Sequence, residues 1–149
     1  MSSAGVAGLT MGGLSPYRLA AEARSTDTFL AETSLKKGFM LQTFPSRDRY
    51  SLDEQFMMLK EAGFSGVEPE SGLNRDDVLQ AKEASGLEIP SVVVSTHWTS
   101  PLTHPDSSVR QTGMDGVITA LHDAKAYGAS TILLVPGIVN EEVSYDTVY

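Results

Sequence analysis

From Lys36 onward, apolar residues follow two alternating rhythms: short unbroken runs, and stretches in which they recur at helical spacing. The runs Gly38 to Phe44 (GFMLQTF), Phe64 to Glu68 (FSGVE), Ile89 to Ser95 (IPSVVVS) and Thr131 to Val135 (TILLV) read as strands. The β-branched third run suits a strand covered on both faces. Between the first two, Ser51 and Glu54 form a capping-box pattern, and Leu52, Phe56, Leu59 and Gly63 share one helical face. Asn74 caps a second helix toward Ser85. Asp106 or Ser107 opens a third that runs toward Tyr127, with Val109, Met114, Val117, Leu121 and Ala124 as its expected buried side. Gly63, Gly86 and Gly128 supply the left-handed residue that closes each helix. Glu141 to Tyr149 holds the start of a further helical pattern.

Strand and helix in strict alternation imply βαβ units and a parallel sheet. Periodicity alone does not separate part of a βα-barrel from an open doubly wound sheet. No GxGxxG or Walker-type phosphate loop follows a strand, which removes the commonest nucleotide-binding forms of the open sheet. Residues 1–35 stand apart. Ser2 to Leu14 is small, apolar and uncharged, and Ala21-Glu22-Ala23 has the small-x-small pattern accepted by signal peptidase. This segment reads as a leader and linker: either the remnant of an export signal or a plain Ala/Gly/Ser tail. An exported, periplasmic address would need a twin-arginine region upstream of Met1; without it the expected location is cytoplasmic. The run is too short and glycine-rich for a stable membrane span.

Charge narrows the partners. The formal net charge of -8 repels phosphate backbones and anionic lipid, so nucleic acid is not expected. The absence of cysteine removes disulfides, thiolate metal sites and cysteine nucleophiles together.

In either architecture the site lies where the loops leave the strand C-termini. That rule selects Gln42 and Thr43, Glu68 and Glu70, Thr96, His97, Trp98 and His104, and then Pro136, Gly137 and Asn140. Glu68 ends a strand in apolar surroundings, where a carboxylate can bind a sugar hydroxyl or a metal-bound water, accept a proton, or pair with a base for structure. Glu70, one step further out, is expected to be solvated. His97 can donate to a substrate oxygen while the neighbouring Trp98 stacks on an apolar sugar face, and His104 could cooperate. No His-x-x-x-His, Asp-x-Asp or Gly-x-Ser-x-Gly pattern is present, and the Met57-Met58 pair reads as packing.

Three stretches resemble the sugar phosphate isomerase/epimerase family with its xylose isomerase-like TIM barrel. They are Ser51 to Glu68 (SLDEQFMMLKEAGFSGVE), Ile89 to Arg110 with Pro90-Ser91, Ser95-x-His97 and Ser107-Ser108-Val109-Arg110, and Ala124 to Gly137 (AKAYGASTILLVPG). The resemblance implies an α/β fold, a (βα)8 barrel of which residues 36–149 are the N-terminal half, truncated after four strands. It also implies a divalent cation (Mn, Mg, Co or Zn) held by two glutamates, an aspartate and a histidine on later strands. The first of those ligands is expected beyond Tyr149, so neither Glu141 nor Glu142 is assigned to it, and the chain is expected to hold no catalytic or metal residue.

What carries over is substrate binding by Glu68, His97 and Trp98. The implied activity is isomerisation or epimerisation of a sugar or sugar phosphate through an enediolate, with this chain inactive by itself. A non-catalytic carbohydrate-binding or self-associating half-barrel is the alternative, since open sheet edges favour pairing between copies. An endonuclease of the related barrel type fits the acidic charge poorly.

Overall fold

The computed structural model describes residues 35–141 and 143–148. The small-x-small pattern and most of the leader lie outside them. Four strands alternate with helices: β1 (Gly38–Met40), α1 (Leu52–Glu61), β2 (Gly66–Glu68), α2 (Arg75–Ser85), β3 (Ser91–Val93), α3 (Ser107–Tyr127), β4 (Thr131–Leu133) and the short α4 (Tyr145–Val148). All pairings are parallel. β1 pairs β2 with Phe39 opposite Val67, and β3 pairs β4 with Val92 opposite Ile132. Bridges Gly66 to Glu88 and Glu70 to Val93 join the two pairs in the order 1-2-3-4.

The helix ends follow their local chemistry. Ser51 and Glu54 form the reciprocal capping box of α1. The Asn74 side chain accepts from the Asp76 and Asp77 amides, and Asp106 accepts from Ser108. Gly63, Gly86 and Gly128 all take positive φ. The strands are shorter than the apolar runs. After Met40 the chain tightens into a 3-10 turn over Leu41–Thr43, closed by the Thr43 hydroxyl on the Met40 carbonyl at 2.8 Å.

Strand alternation sorts the two faces of the sheet. Leu41, Val67, Val92 and Val94 are fully buried in one cluster with Phe56, Val78, Ala120 and Tyr127 of the helices, and Phe39, Ile132 and Leu134 pack against it. Met40, Glu68, Val93 and Leu133 alternate with these, lie outside the cluster, and face the concave side.

One helix face differs from its expectation. On α3 the buried positions are Gly113, Gly116, Ala120, Asp123, Ala124 and Tyr127, while Met114 and Leu121 are exposed with Ile118. The reason is close approach. A Cβ on Gly116 would drive into the Thr96 side chain, and one on Gly113 into the Ser100 carbonyl. The loop after β3 lies directly on the helix, so under that loop the buried stripe is glycine and Met114, Ile118 and Leu121 turn outward, whereas Val117 packs against the core and Ala124 is buried as expected. Among the described residues no helix is long and apolar enough to cross a membrane.

Candidate functional site

The loops that leave the strand C-termini form two unlike halves of one mouth. On the β1–β2 side the chain turns through Ser46, a left-handed residue at φ 54°, and presents Arg47. The Arg47 guanidinium is ion-paired with Glu70, which is 8% exposed. The expected solvation of Glu70 does not hold. Its backbone bridges Val93, and the following Ser71 amide donates to the Val93 carbonyl at 2.8 Å, which pulls the residue under the rim. One oxygen of Glu70 meets arginine; the other, Oε2, is buried without a partner among the described residues.

The hydroxyls of Ser71 and Ser95 lie 3.1 Å apart, and the Ser95 amide donates to Ser71 Oγ, tying the end of β2 to that of β3. Below them Asp123 reaches from α3 to the β2–α2 loop. It accepts from Gly72 N at 2.8 Å and from Arg75 Nε at 2.6 Å, and is 1% exposed. This buried carboxylate, with Arg47 and the glycines of α3, is a positioning element that the strand-end rule passes over. Gly113 and Gly116, three residues apart on one helix, are a sequence signal for the close approach of the loop after β3.

The other half of the mouth is the loop from Ser95 to Asp106. Seated on the α3 glycines, it turns back on itself as the Thr99 and Ser100 amides donate to the Thr96 carbonyl. His97 goes inward at 2% exposure, and Trp98 goes outward at 59%. Their rings meet edge to face with centroids 4.9 Å apart. Burial pushes the His97 pKa below the usual histidine range, which favours a neutral ring, and its Nδ1 has no partner among the described residues.

Further along the loop, Arg110 Nη1 donates to the carbonyls of His104 at 2.7 Å and Pro105 at 2.9 Å. The Asp106 amide donates to His104 Nδ1 at 3.0 Å, so the proton of neutral His104 sits on Nε2. Trp98, Pro101, His104, Ile138, Asn140 and Val143 then line a cleft of about 280 Å³. A second hollow, bounded by Ser51, Asp53, Asp77 and Gln80, is set between the N-terminal parts of α1 and α2.

The structure thus brings two of the three expected substrate residues together and leaves the third apart. Trp98 walls the cleft and His97 supports its ring from within. Glu68 stands partly exposed on the concave face, and no base pairs with it among the described residues; the ion pair at this strand end belongs to Glu70. No group of three or more His, Asp or Glu among the described residues converges in a way that would hold a metal ion.

The chain resembles proteins of known structure in fold. A 3-keto-D-glucoside 4-epimerase from E. coli superposes with a TM-score of 0.60 at 21% identity, over 77% of this chain and 46% of the epimerase. An AP endonuclease, family 2, from Brucella melitensis gives 0.55 at 23% identity, over 72% of this chain and 43% of that one. At these identities the likeness shows the fold alone, and the chain spans less than half the length of either. No curated protein matches. The family model of the xylose isomerase-like TIM barrel matches residues 56–149, and the chain belongs to that family.

Proposed function

We propose that this chain supplies the substrate-facing half of a divalent-metal-dependent sugar isomerase or epimerase that moves a proton through an enediolate. One observation carries the reading: a half-exposed indole, backed by a buried neutral imidazole, walls a cleft at the strand C-termini of a xylose isomerase-like barrel. The E. coli neighbour, a sugar epimerase, supports the substrate class. The acidic charge of -8 speaks against the DNA chemistry of the other neighbour.

The described residues do not fit the cation (Mn, Mg, Co or Zn) that such a reaction uses, so its ligands and the acid/base carboxylates are assigned elsewhere and no step is derived through them. What these residues do is bind and orient: Trp98 offers a flat face, His104 a donor, and Glu68 an acceptor on the concave side. Deuterium wash-in beside the carbonyl of a ketose, followed by NMR with Mn²⁺, Mg²⁺ or Co²⁺, tests the reading. The chain alone is expected to give none, and addition of a polypeptide carrying the later strands to restore it. Wash-in by the chain alone would relocate the catalytic groups into it. Sugar binding with no wash-in under either condition would leave the carbohydrate-binding, self-associating half-barrel, which the single pairing of β1 and of β4 among the described residues also suits.

A further inference from the structure

The cleft beside Trp98 also says which form of sugar it suits. We infer that it is a subsite for an uncharged pyranose ring, a free sugar or its glycoside, and that it discriminates against a phosphate ester. The inference rests on the sugar-binding part of the proposed function and narrows its substrate class.

Three observations carry it. First, the lining pairs an exposed indole with Pro101, Ile138 and Val143 on one hand and Thr99, Thr103 and His104 on the other, and among the described residues it includes no Lys or Arg. Such a surface stacks on the C–H face of a pyranose and hydrogen-bonds its hydroxyls, whereas phosphate calls for a guanidinium, an ammonium or a set of free backbone amides.

Second, the adjoining helix N-terminus already carries an acidic cap. The N-terminus of α3 adjoins His104 and Pro105, but the Asp106 carboxylate accepts from the Ser108 amide and hydroxyl, both at 2.8 Å. Those hydrogen bonds hold the Asp106 pKa below the usual range, so a negative charge occupies the place a phosphate would take. Arg110 is not among the cleft's lining residues: its Nη1 serves the loop carbonyls, and its side chain lines a separate hollow with Leu102, Gln111 and Met114. Third, Nδ1 of His104 is held by the Asp106 amide, which leaves Nε2 as the ring's donor. An N–H donor suits a hydroxyl or ring oxygen.

Trp98 is the sole tryptophan of the chain, so its emission reports on this cleft directly. The chain is titrated, without added metal, with methyl α-D-glucopyranoside, with glucose 6-phosphate and with inorganic phosphate. A saturable change is expected for the glucoside, with affinity for the 6-phosphate weaker by roughly tenfold or more. Tighter binding of the 6-phosphate, or displacement of the glucoside by inorganic phosphate, would overturn the inference, and so would emission unmoved by either sugar. His104→Ala is expected to weaken glucoside binding about fivefold, with His104→Gln, which keeps a donor, recovering part of it. Should H104A unfold, calorimetry on Trp98→Phe takes its place: a stacking subsite keeps measurable affinity there, and unchanged affinity would show that the indole is not the wall. A saturable emission change, with no deuterium wash-in even after metal and a polypeptide carrying the later strands are added, removes the isomerase reading and leaves the subsite. Wash-in without an emission change does the reverse.

Discussion

The two halves of the mouth are built from the same βα unit and end differently. On the β1–β2 side, Arg47 reaches over to the buried Glu70 and closes the rim with an ion pair. On the β3–β4 side the loop is carried on helix α3, its charged Arg110 is turned to backbone carbonyls, and the gap it leaves is walled by Trp98. The first half is held shut by charge; the second is held open by shape. Under the proposed function, recognition falls to the loop whose helix has no Cβ at two contact positions, and the neighbouring rim is closed by the Arg47–Glu70 pair.

That contrast is sharpest at Gly116. Gly116→Val places a branched side chain against Thr96 and is expected to destabilise the chain by about 3 kcal/mol in urea unfolding, with a shifted Trp98 emission in what remains folded. Loss of stability with unaltered emission would show that the glycine contact does not position the open loop. Next in size, Arg47→Ala leaves the Glu70 carboxylate without its partner and is expected to cost about 2 kcal/mol, below the range for fully buried pairs because Arg47 is partly exposed. Glucoside affinity should stay within about twofold of wild type if the halves act separately. A large affinity loss in R47A would merge them into one site.

Trp98→Ala inverts that pattern. Calorimetric sugar affinity is expected to fall roughly tenfold, whereas unfolding free energy moves by less than about 0.5 kcal/mol because the ring is mostly exposed. The smallest effect is in pH. Burial lowers the His97 pKa from its usual 6.5, so the unfolded chain binds the proton more readily than the folded one. The stability from keeping this ring neutral is complete above about pH 6.5 and is lost as pH falls through the lower folded value. His97→Asn should flatten that part of the profile of urea midpoints between pH 7 and pH 5. An unchanged slope would mean that His97 is not the titrating group.

How far the sequence announces these features varies with their range. The capping box at Ser51, the Asn74 cap and the glycine closures are local hydrogen-bond and φ preferences, and the structure has them where the pattern places them. Of the five positions that periodicity assigns to the buried side of α3, Val117 and Ala124 face the core while Met114 and Leu121 do not, because periodicity ranks positions by hydrophobicity. Here the neighbours are the Ser100 carbonyl and the Thr96 side chain, and fit demands the absence of a side chain. Glu70 is expected in solvent from its place one step out in the loop, and that place does not reveal its partner: Arg47 lies 23 positions away.

The order of strands and helices, the parallel sheet, the helix ends and the set of polar residues at the strand tips followed from residue pattern alone, since each depends on interactions a few positions long. Which of those tips is sealed and which open was decided only when β2 met β3 and α3 met the loop above it. The pairings that decided it, Arg47 with Glu70, Asp123 with Arg75 and Gly72, and Gly116 with Thr96, join segments distant in sequence. Hydrophobic pattern carries no record of such partners, because charge pairing and steric fit become specific only after packing has set the distances.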